Sequence, residues 1–204
     1  MSKPKLYGIA GSRAIRSIWA IEETGIDYEH VPVGFGEDSK AAEYLAINPN
    51  GRIPALEDGD LILFESMAIN LYLAKAYGGS LYPADPAAEA LAIQWSVWGI
   101  SEIEDLQIRI ALQKFFTPED EQDPTVIAEA EAGLARPFGV LDQHLNGRVW
   151  LVGDAFSIAD LNLAGVMSLL QMVEVDVSGY ANLSRWAASC YARPAFDRAQ
   201  RVGR

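Results

Sequence analysis

Cysteine, histidine and basic residues are all scarce in this sequence of 204 residues. Its single cysteine, Cys190, excludes an intrachain disulfide and a redox-active dithiol. The two histidines, His30 and His144, are far apart in sequence and lack the spacing of metal ligands, so we expect no metal site. The 16 Lys and Arg do not balance the 28 Asp and Glu, and the resulting net charge of −12 disfavours nucleic acids and anionic membranes as partners.

Long apolar runs and a leader-like segment are also missing. The apolar stretch Leu161–Val173 is interrupted by polar residues and is too short to span a membrane. The first residues, Met-Ser-Lys-Pro-Lys, lack the apolar core of a signal peptide. We therefore expect a cytoplasmic protein, and the 50% hydrophobic content is enough to bury a substantial core.

The chain divides into two halves with different periodicity. Residues 1–80 carry strand and helix signals in the order β-α-β-α-β-β-α, while residues 88–204 carry mainly helical periodicity. The segment 81–88 holds two prolines and is interpreted as a linker. Val149–Val152 is the main strand candidate beyond it. The sequence thus predicts a small α/β domain followed by an all-helical domain.

The most informative segment is 48–56, which reads Asn-Pro-Asn-Gly-Arg-Ile-Pro-Ala-Leu. Asn-Pro and Asn-Gly favour turns, and Ile53-Pro54 leads into a strand. If the Ile53–Pro54 bond were cis, the backbone of Ile53 would face outward and could pair with an extended peptide. By spacing alone, a simple turn entering a strand is the favoured interpretation.

Two helix starts complete the pattern. Glu65-Ser66 follows a strand and begins a helix, whose N–H groups and dipole suit a bound carboxylate, while Glu65 suits an ammonium. Ser12 stands where the first strand meets the first helix, and it either caps that helix or donates a hydrogen bond to a bound anion. Further along, Ser157-Ile158-Ala159-Asp160 predicts a capping box at the start of a central helix.

Together these motifs resemble the cytosolic-type glutathione transferase family, in its bacterial, theta- or zeta-like, serine-using form. The resemblance rests on segment 48–56, on Glu65-Ser66 with Ala68-Ile69, on the capping box, and on the two-domain layout. It implies a thioredoxin-like glutathione-binding domain over 1–80 and an all-helical domain over 88–204 that lines the electrophile site. It also implies a homodimer, with the helix Met67–Tyr77 at its interface, and a role in detoxification.

The resemblance also implies specific residue roles. Ser12 would be the catalytic contact to the glutathione thiol, although Tyr7 and Ser17 are nearby hydroxyls. Glutathione would be the cosubstrate, and its binding residues would be Arg13, Lys40, Arg52, Ile53, Pro54, Glu65 and Ser66. The walls of the electrophile site would include Trp95, Trp98 and Leu106, although apolar residues at helical spacing more often form a core.

The expected activity is that of a glutathione transferase, which activates the glutathione thiol for nucleophilic attack on a small hydrophobic electrophile. The open alternatives are a non-catalytic, transferase-like binding or regulatory protein, and a glutathione-dependent isomerase, lyase or dehalogenase. The sequence offers no pocket chemistry that separates these enzymes from one another.

Overall fold

The computed structural model describes residues 3–203, which fall into two compact units. The α/β unit comprises the chain up to Ala84 together with the segment from Ala192 onward, and the helical unit comprises Asp85–Tyr191. The C-terminal segment therefore belongs with the α/β unit, whereas the sequence pattern grouped it with the helices that precede it.

A four-stranded sheet forms the centre of the described part of the α/β unit. Its strands are β1 (Lys5–Tyr7), β2 (Glu29–Val31), β3 (Ala55–Asp58) and β4 (Leu61–Phe64), in the spatial order β2-β1-β3-β4. β1 pairs in parallel with β2 and antiparallel with β3, and β3 pairs antiparallel with β4. The helices of this unit are α1 (Ala14–Thr24), α2 (Glu37–Lys40), α3 (Ala42–Leu45), α4 (Ser66–Tyr77) and α10 (Pro194–Arg201).

Each face of the sheet has its own apolar layer because side chains alternate along a strand. On one face, Tyr7 and Ala55 pack with Tyr44 from α3 and with Val33 and Ile53. The other face carries Leu6 and Leu56, and α1 and α4 pack against each other and against the sheet. Two α4 residues, Ile69 and Leu73, are wholly buried within this unit, so they are core residues and do not contribute to a subunit interface.

The C-terminal helix α10 packs against α1, and an ion pair and an aromatic contact join the two helices. The guanidinium of Arg193 contacts both carboxylate oxygens of Glu23, at 2.5 and 2.8 Å. The rings of Trp19 and Phe196 lie 4.7 Å apart, and Trp19 is fully buried. Pro194 begins α10 because proline is favoured at a first helical position.

The described residues of the helical unit form helices joined by loops. Most residues of α8 are buried, so this helix lies at the centre of the unit's core. The helices of the unit are α5 (Pro86–Gly99), α6 (Asp105–Ala111), α7 (Pro124–His144), α8 (Ile158–Met172) and α9 (Ala181–Tyr191). Two π-helical stretches, Ile100–Glu104 and Leu112–Phe116, extend the α5–α6 helix to Phe116. None of the helices between residues 3 and 203 combines the length and apolar character needed to cross a lipid bilayer.

Two details of the predicted helical half were wrong. Val149–Val152 is irregular rather than a strand, and there is no neighbouring strand with which it could pair in the described residues. The predicted linker is shorter than 81–88 because α5 already begins at Pro86, where the Asp85 side chain accepts a hydrogen bond from Ala88 N at 2.9 Å. The predicted capping box at Ser157 and Asp160 is confirmed.

Candidate glutathione site

One edge of the sheet brings three chain segments together. The pairing of Tyr7 with Ala55, and of Ala55 with Phe64, places Gly8, Pro54 and Glu65 at the same edge. Gly8 has φ 134°, and a Cβ added there would lie 2.5 Å from the Cβ of Ala14 and 3.8 Å from the Cα of Pro54. The absence of a side chain at Gly8 thus allows the start of α1 to approach the Ile53–Pro54 segment.

The Ile53–Pro54 peptide bond is cis, as the resemblance implied. The side chain of Ile53 is buried, but neither its N–H nor its C=O has a hydrogen-bond partner within residues 3–203. Unpaired backbone groups beside a sheet are able to accept an added extended peptide. The Ile53 backbone therefore offers one donor and one acceptor to a ligand.

The Arg52–Ile53 peptide, which contains the Ile53 N–H, is fixed by hydrogen bonds to its carbonyl oxygen. The C=O of Arg52 accepts hydrogen bonds from the Tyr44 hydroxyl and from Asn48 Nδ2, both at 2.6 Å. Because the N–H and C=O of a planar trans peptide point in opposite directions, these bonds direct the Ile53 N–H away from Tyr44 and Asn48. Asn48, which is 2% exposed, also accepts a hydrogen bond from Asn50 N at 3.1 Å, which closes the turn.

The start of α4 is open, in the sense that no side chain caps its first N–H groups. Glu65 lies just before the helix at φ 74° and ψ 112°, a conformation that costs free energy in any residue other than glycine, and it forms no capping hydrogen bond. Its carboxylate is exposed. Ser66 is 5% exposed, and its hydroxyl has no hydrogen-bond partner among the described residues. The first N–H groups of α4 and these two side chains are therefore available to a ligand with both charges.

Ser12 precedes Arg13, the N-cap residue of α1, and its side chain bonds within the turn that leads into this helix. Its hydroxyl donates to the C=O of Ile9 at 2.7 Å and accepts from the N–H of Ala14 at 3.0 Å. The residue is partly exposed, so a ligand can reach the oxygen. A bound anion would compete with Ile9 for the hydroxyl proton.

The two other hydroxyls in this segment are less suited to contact a ligand. Tyr7 is 8% exposed, and its hydroxyl donates to the carboxylate of Glu57. Burial, followed by the hydrogen bond to Glu57, raises the pKa of the Tyr7 phenol above its ordinary value. Ser17 is fully buried inside α1. Of the three hydroxyls considered, Ser12 is the accessible one.

Basic side chains line the approach to this edge. Lys40 Nζ lies 3.4 Å from the C=O of Asn50 and close to Gly51, where an added Cβ would approach Nζ to 2.6 Å. Arg52 is exposed and forms no ion pair among the described residues. Arg13 is also exposed, at the first turn of α1. These cations provide the local positive charge that an anionic ligand needs in a chain with a net charge of −12.

Family models match both halves of the chain. The model described as "Glutathione S-transferase, N-terminal domain" matches residues 2–75, and the model described as "Glutathione S-transferase, C-terminal domain" matches residues 103–194. The chain belongs to the glutathione S-transferase family. The family's two-domain architecture, with an α/β domain followed by helices, agrees with the predicted fold class.

Individual members of the family are similar over nearly the whole chain. A glutathione S-transferase from Hyoscyamus muticus is 33% identical, and the match covers 96% of each chain. Glutathione S-transferase GstB from Escherichia coli K12 is also 33% identical, over 93% of this chain and 94% of GstB. Among solved structures, a theta class glutathione S-transferase from Xanthomonas axonopodis pv. citri, with glutathione bound, is 32% identical, with a TM-score of 0.90 and coverage of 100% and 99% of the two chains.

The residues predicted to contact the electrophile lie in the helical unit of this family member. Trp95 is 5% exposed, and its ring packs 5.1 Å from that of Trp98 and 4.6 Å from that of His144. Leu106 packs against α7, where a Cβ added at Gly133 would lie 3.0 Å from Leu106 Cδ2. Trp95 is therefore part of the core of the helical unit, while Trp98 and Leu106 are partly exposed.

Three contributors to the site were missed from the sequence. Tyr44 and Asn48 meet at the C=O of Arg52, and the lack of a side chain at Gly8 allows the start of α1 to approach Pro54. The Asn-Pro turn signal indicated a fixed turn at Asn48 but not its hydrogen-bond partners. Across residues 3–203, no group of three or more His, Cys, Asp or Glu side chains is arranged to hold a metal ion.

Proposed function

We propose that the α/β unit binds glutathione and that Ser12 activates its thiol for attack on a small hydrophobic electrophile. The observation that carries the proposal is the meeting, at one sheet edge, of the unpaired Ile53 backbone with the open start of α4 and the accessible Ser12 hydroxyl. Glutathione-bound relatives with the same fold support it, among them the Xanthomonas enzyme.

Each part of glutathione has a suitable partner at this edge. The cysteinyl residue pairs with the N–H and C=O of Ile53, beside Pro54, as an added strand pairs with a sheet. The γ-glutamyl end carries a carboxylate and an ammonium, which suit the start of α4 with Ser66 and the carboxylate of Glu65. The glycyl carboxylate lies near the exposed cations of Arg52 and Lys40, and Arg13 adds to the positive field.

The Ser12 hydroxyl changes the state of the bound thiol. A free thiol with a pKa of about 8.5 is thiolate to only a few per cent at neutral pH. When the Ser12 proton turns from the C=O of Ile9 to the sulfur, its hydrogen bond favours the anion, as does the nearby N-terminus of α1. Each unit of pKa depression corresponds to about 1.36 kcal/mol, and a depression of about two units makes thiolate the main species at neutral pH.

The reaction then follows from the activated sulfur. The thiol proton passes to solvent, the sulfur electron pair forms a bond to an electrophilic carbon, and a leaving group departs or the electrophile takes up a proton. We place the partly exposed Trp98 and Leu106 at the electrophile in the helical unit, with Trp95 supporting Trp98 from the core. An aromatic side chain and a leucine suit a small apolar substrate.

A comparison of Ser12→Ala with the unaltered chain tests the proposal. With glutathione and chlorodinitrobenzene as substrates at pH 7, we expect kcat to fall by about eightfold to 25-fold, the fall in thiolate fraction when one or two units of thiol activation are lost. The Kd for glutathione, measured by calorimetry, should change by less than about threefold because the remaining contacts persist.

Ser80→Ala is the matched control, because Ser80 is an exposed serine of the same unit outside the proposed site. Its kcat should equal that of the unaltered chain. An unaltered chain that binds glutathione but does not accelerate conjugation would indicate the non-catalytic alternative. An equal kcat in Ser12→Ala would limit Ser12 to its role in the turn before α1.

A further inference from the structure

His30 forms a hydrogen bond at the point where β1 ends. The ladder between β1 and β2 closes with a bond from the N–H of Gly8 to the C=O of Val31, at 3.0 Å. The C=O of Gly8 is then met by a side chain, with His30 Nε2 at 2.7 Å. Since a carbonyl oxygen only accepts hydrogen bonds, Nε2 carries the proton that is donated.

This bond fixes the peptide that leads to Ser12. The C=O of Gly8 belongs to the Gly8–Ile9 peptide, and the C=O of Ile9 accepts both the Ser12 hydroxyl, at 2.7 Å, and the Ser12 N–H, at 3.1 Å. Two successive carbonyls therefore connect the imidazole to Ser12, and the bond from the Ser12 N–H keeps this connection when the hydroxyl proton turns to a bound sulfur. At φ 134°, Gly8 has the wide conformational range of glycine, so its own dihedral preferences do little to orient this peptide.

The C-terminal segment supports the imidazole from another side. Gly203 lies against the ring, since a Cβ added there would approach His30 Cε1 to 2.8 Å and both ring nitrogens to 3.6 Å. The segment is held in place through α10, where Arg198 Nε contacts Glu22 on α1 at 2.7 Å. The position of the ring is therefore set by β2 and by the backbone of residue 203.

We infer that His30 is a positioning residue for Ser12, and that Gly203 keeps its imidazole in place. The inference rests on the proposed role of Ser12 in thiol activation. His30 holds the Gly8–Ile9 peptide so that the Ser12 hydroxyl faces the ligand. Loss of the bond frees that peptide and lowers the fraction of molecules in which the hydroxyl reaches the sulfur.

The test compares His30→Met, which removes the donor, with His30→Gln, which keeps an N–H at a similar distance from the backbone. We expect His30→Met to lower kcat about tenfold, with the Kd for glutathione within about threefold of the unaltered value. His30→Gln should restore kcat to within about threefold. Ser80→Ala is again the control, because Ser80 is an exposed residue of the same unit outside the contacts that connect Gly203, His30, Gly8 and Ser12.

A double variant separates positioning from a general loss of structure. In the Ser12→Ala background, His30→Met should lower kcat by less than about twofold, because the group through which it acts is already missing. A further tenfold loss in that background would overturn the inference. So would an unchanged kcat in His30→Met when Ser12→Ala itself is impaired. A fully active Ser12→Ala would instead contradict the proposed role of Ser12, on which the inference about His30 rests.

Gly203→Ala provides an independent variant if His30→Met does not fold. The added Cβ would lie 2.8 Å from His30 Cε1 at a φ of 70° that alanine disfavours, and where the ring moves, kcat should fall in the same direction while the Kd for glutathione stays within about threefold. Full activity in Gly203→Ala, together with a crystal structure that shows the ring displaced, would contradict the inference.

Discussion

The helices of the two units begin in different ways. In the helical unit, aspartate carboxylates accept N–H groups at four helix starts: Asp85 and Asp123 precede α5 and α7, Asp160 lies in the first turn of α8, and Asp142 reaches the start of α9 from α7. In the α/β unit, α4 starts after Glu65 in a left-handed conformation and without a capping bond. A closed helix start stabilises the fold, whereas an open one retains its N–H groups for a ligand.

Asp160 represents the closed kind. Its carboxylate is fully buried and accepts from Leu151 N and Trp186 Nε1, both at 2.8 Å, and from the N–H and hydroxyl of Ser157 at 3.0 and 3.1 Å. Burial raises the pKa of this carboxyl, and the four hydrogen bonds oppose that shift. The network joins the start of α8 to α9 and to the preceding loop, so its role is structural.

The largest effect is expected for Asp160→Asn. An amide cannot accept four hydrogen bonds, so at least one buried donor loses its partner, and we expect a loss of about 3 kcal/mol of unfolding free energy. For a chain of this length that corresponds to a fall in Tm of about 6–12 °C. Scanning calorimetry measures it, and the Kd for glutathione should be unchanged at a temperature where the variant is folded.

Glu65→Ala should show the opposite pattern. Loss of the proposed contact to the glutathione ammonium should raise the Kd at least about tenfold, as expected for a hydrogen bond to a charged group. The Tm should move by less than about 2 °C because no described residue bonds to this carboxylate. Glu65→Gly sharpens the contrast: it should lose the same affinity while gaining about 1 kcal/mol of stability, since glycine accepts a φ of 74°. Unchanged affinity in both variants would remove Glu65 from the site.

The start of α4 and the capping box were both predictable from sequence because each depends on neighbouring residues. β4 and α8 likewise follow local signals, since a tight turn precedes Leu61–Phe64 and the capping box precedes Ile158–Met172. Gly25 ends α1 in the left-handed conformation expected of a C-terminal glycine.

Contacts that depend on how a segment folds back onto the rest of the unit were not predictable in the same way. The pairing of Tyr44 and Asn48 with the C=O of Arg52 depends on how the 37–54 segment folds back onto the sheet. The return of α10 to α1 depends on charge pairs that are about 170 residues apart in sequence, such as Arg193 with Glu23. No local pattern encodes either contact. Val149–Val152 is an example in which a local pattern misled, because its apolar residues suggested a strand although no described strand lies beside the segment.

Tyr44→Phe should give a smaller effect, because it removes one of the two donors to the C=O of Arg52 and leaves Asn48 in place. We expect the Kd for glutathione to rise about fivefold, the equivalent of one neutral hydrogen bond of about 1 kcal/mol, with kcat nearly unchanged. Steady-state kinetics with varied glutathione measures both quantities. A fall in kcat at constant affinity would show that this peptide acts on the thiol rather than on binding.

The smallest effect concerns Asp142, another closed start. Hydrogen bonds from Leu183 N and from Asn182 lower the pKa of this carboxyl. A lowered pKa in the folded state contributes stability above the unfolded pKa of about 3.9, and this contribution is lost as the pH falls through the folded value. The Tm difference between the unaltered chain and Asp142→Asn should therefore be positive at neutral pH and shrink in acid below about pH 4. A constant difference would contradict the assignment.

The measurement that tests the proposed site most directly is the pKa of the thiol of glutathione bound to the α/β unit. It is measured by following the ultraviolet absorbance of the thiolate against pH, at saturating protein, for the unaltered chain and for Ser12→Ala. We predict a pKa of about 6.5–7.5 in the unaltered chain and a value near 8.5 in Ser12→Ala. A bound thiol that titrates near 8.5 in both proteins would contradict activation by Ser12.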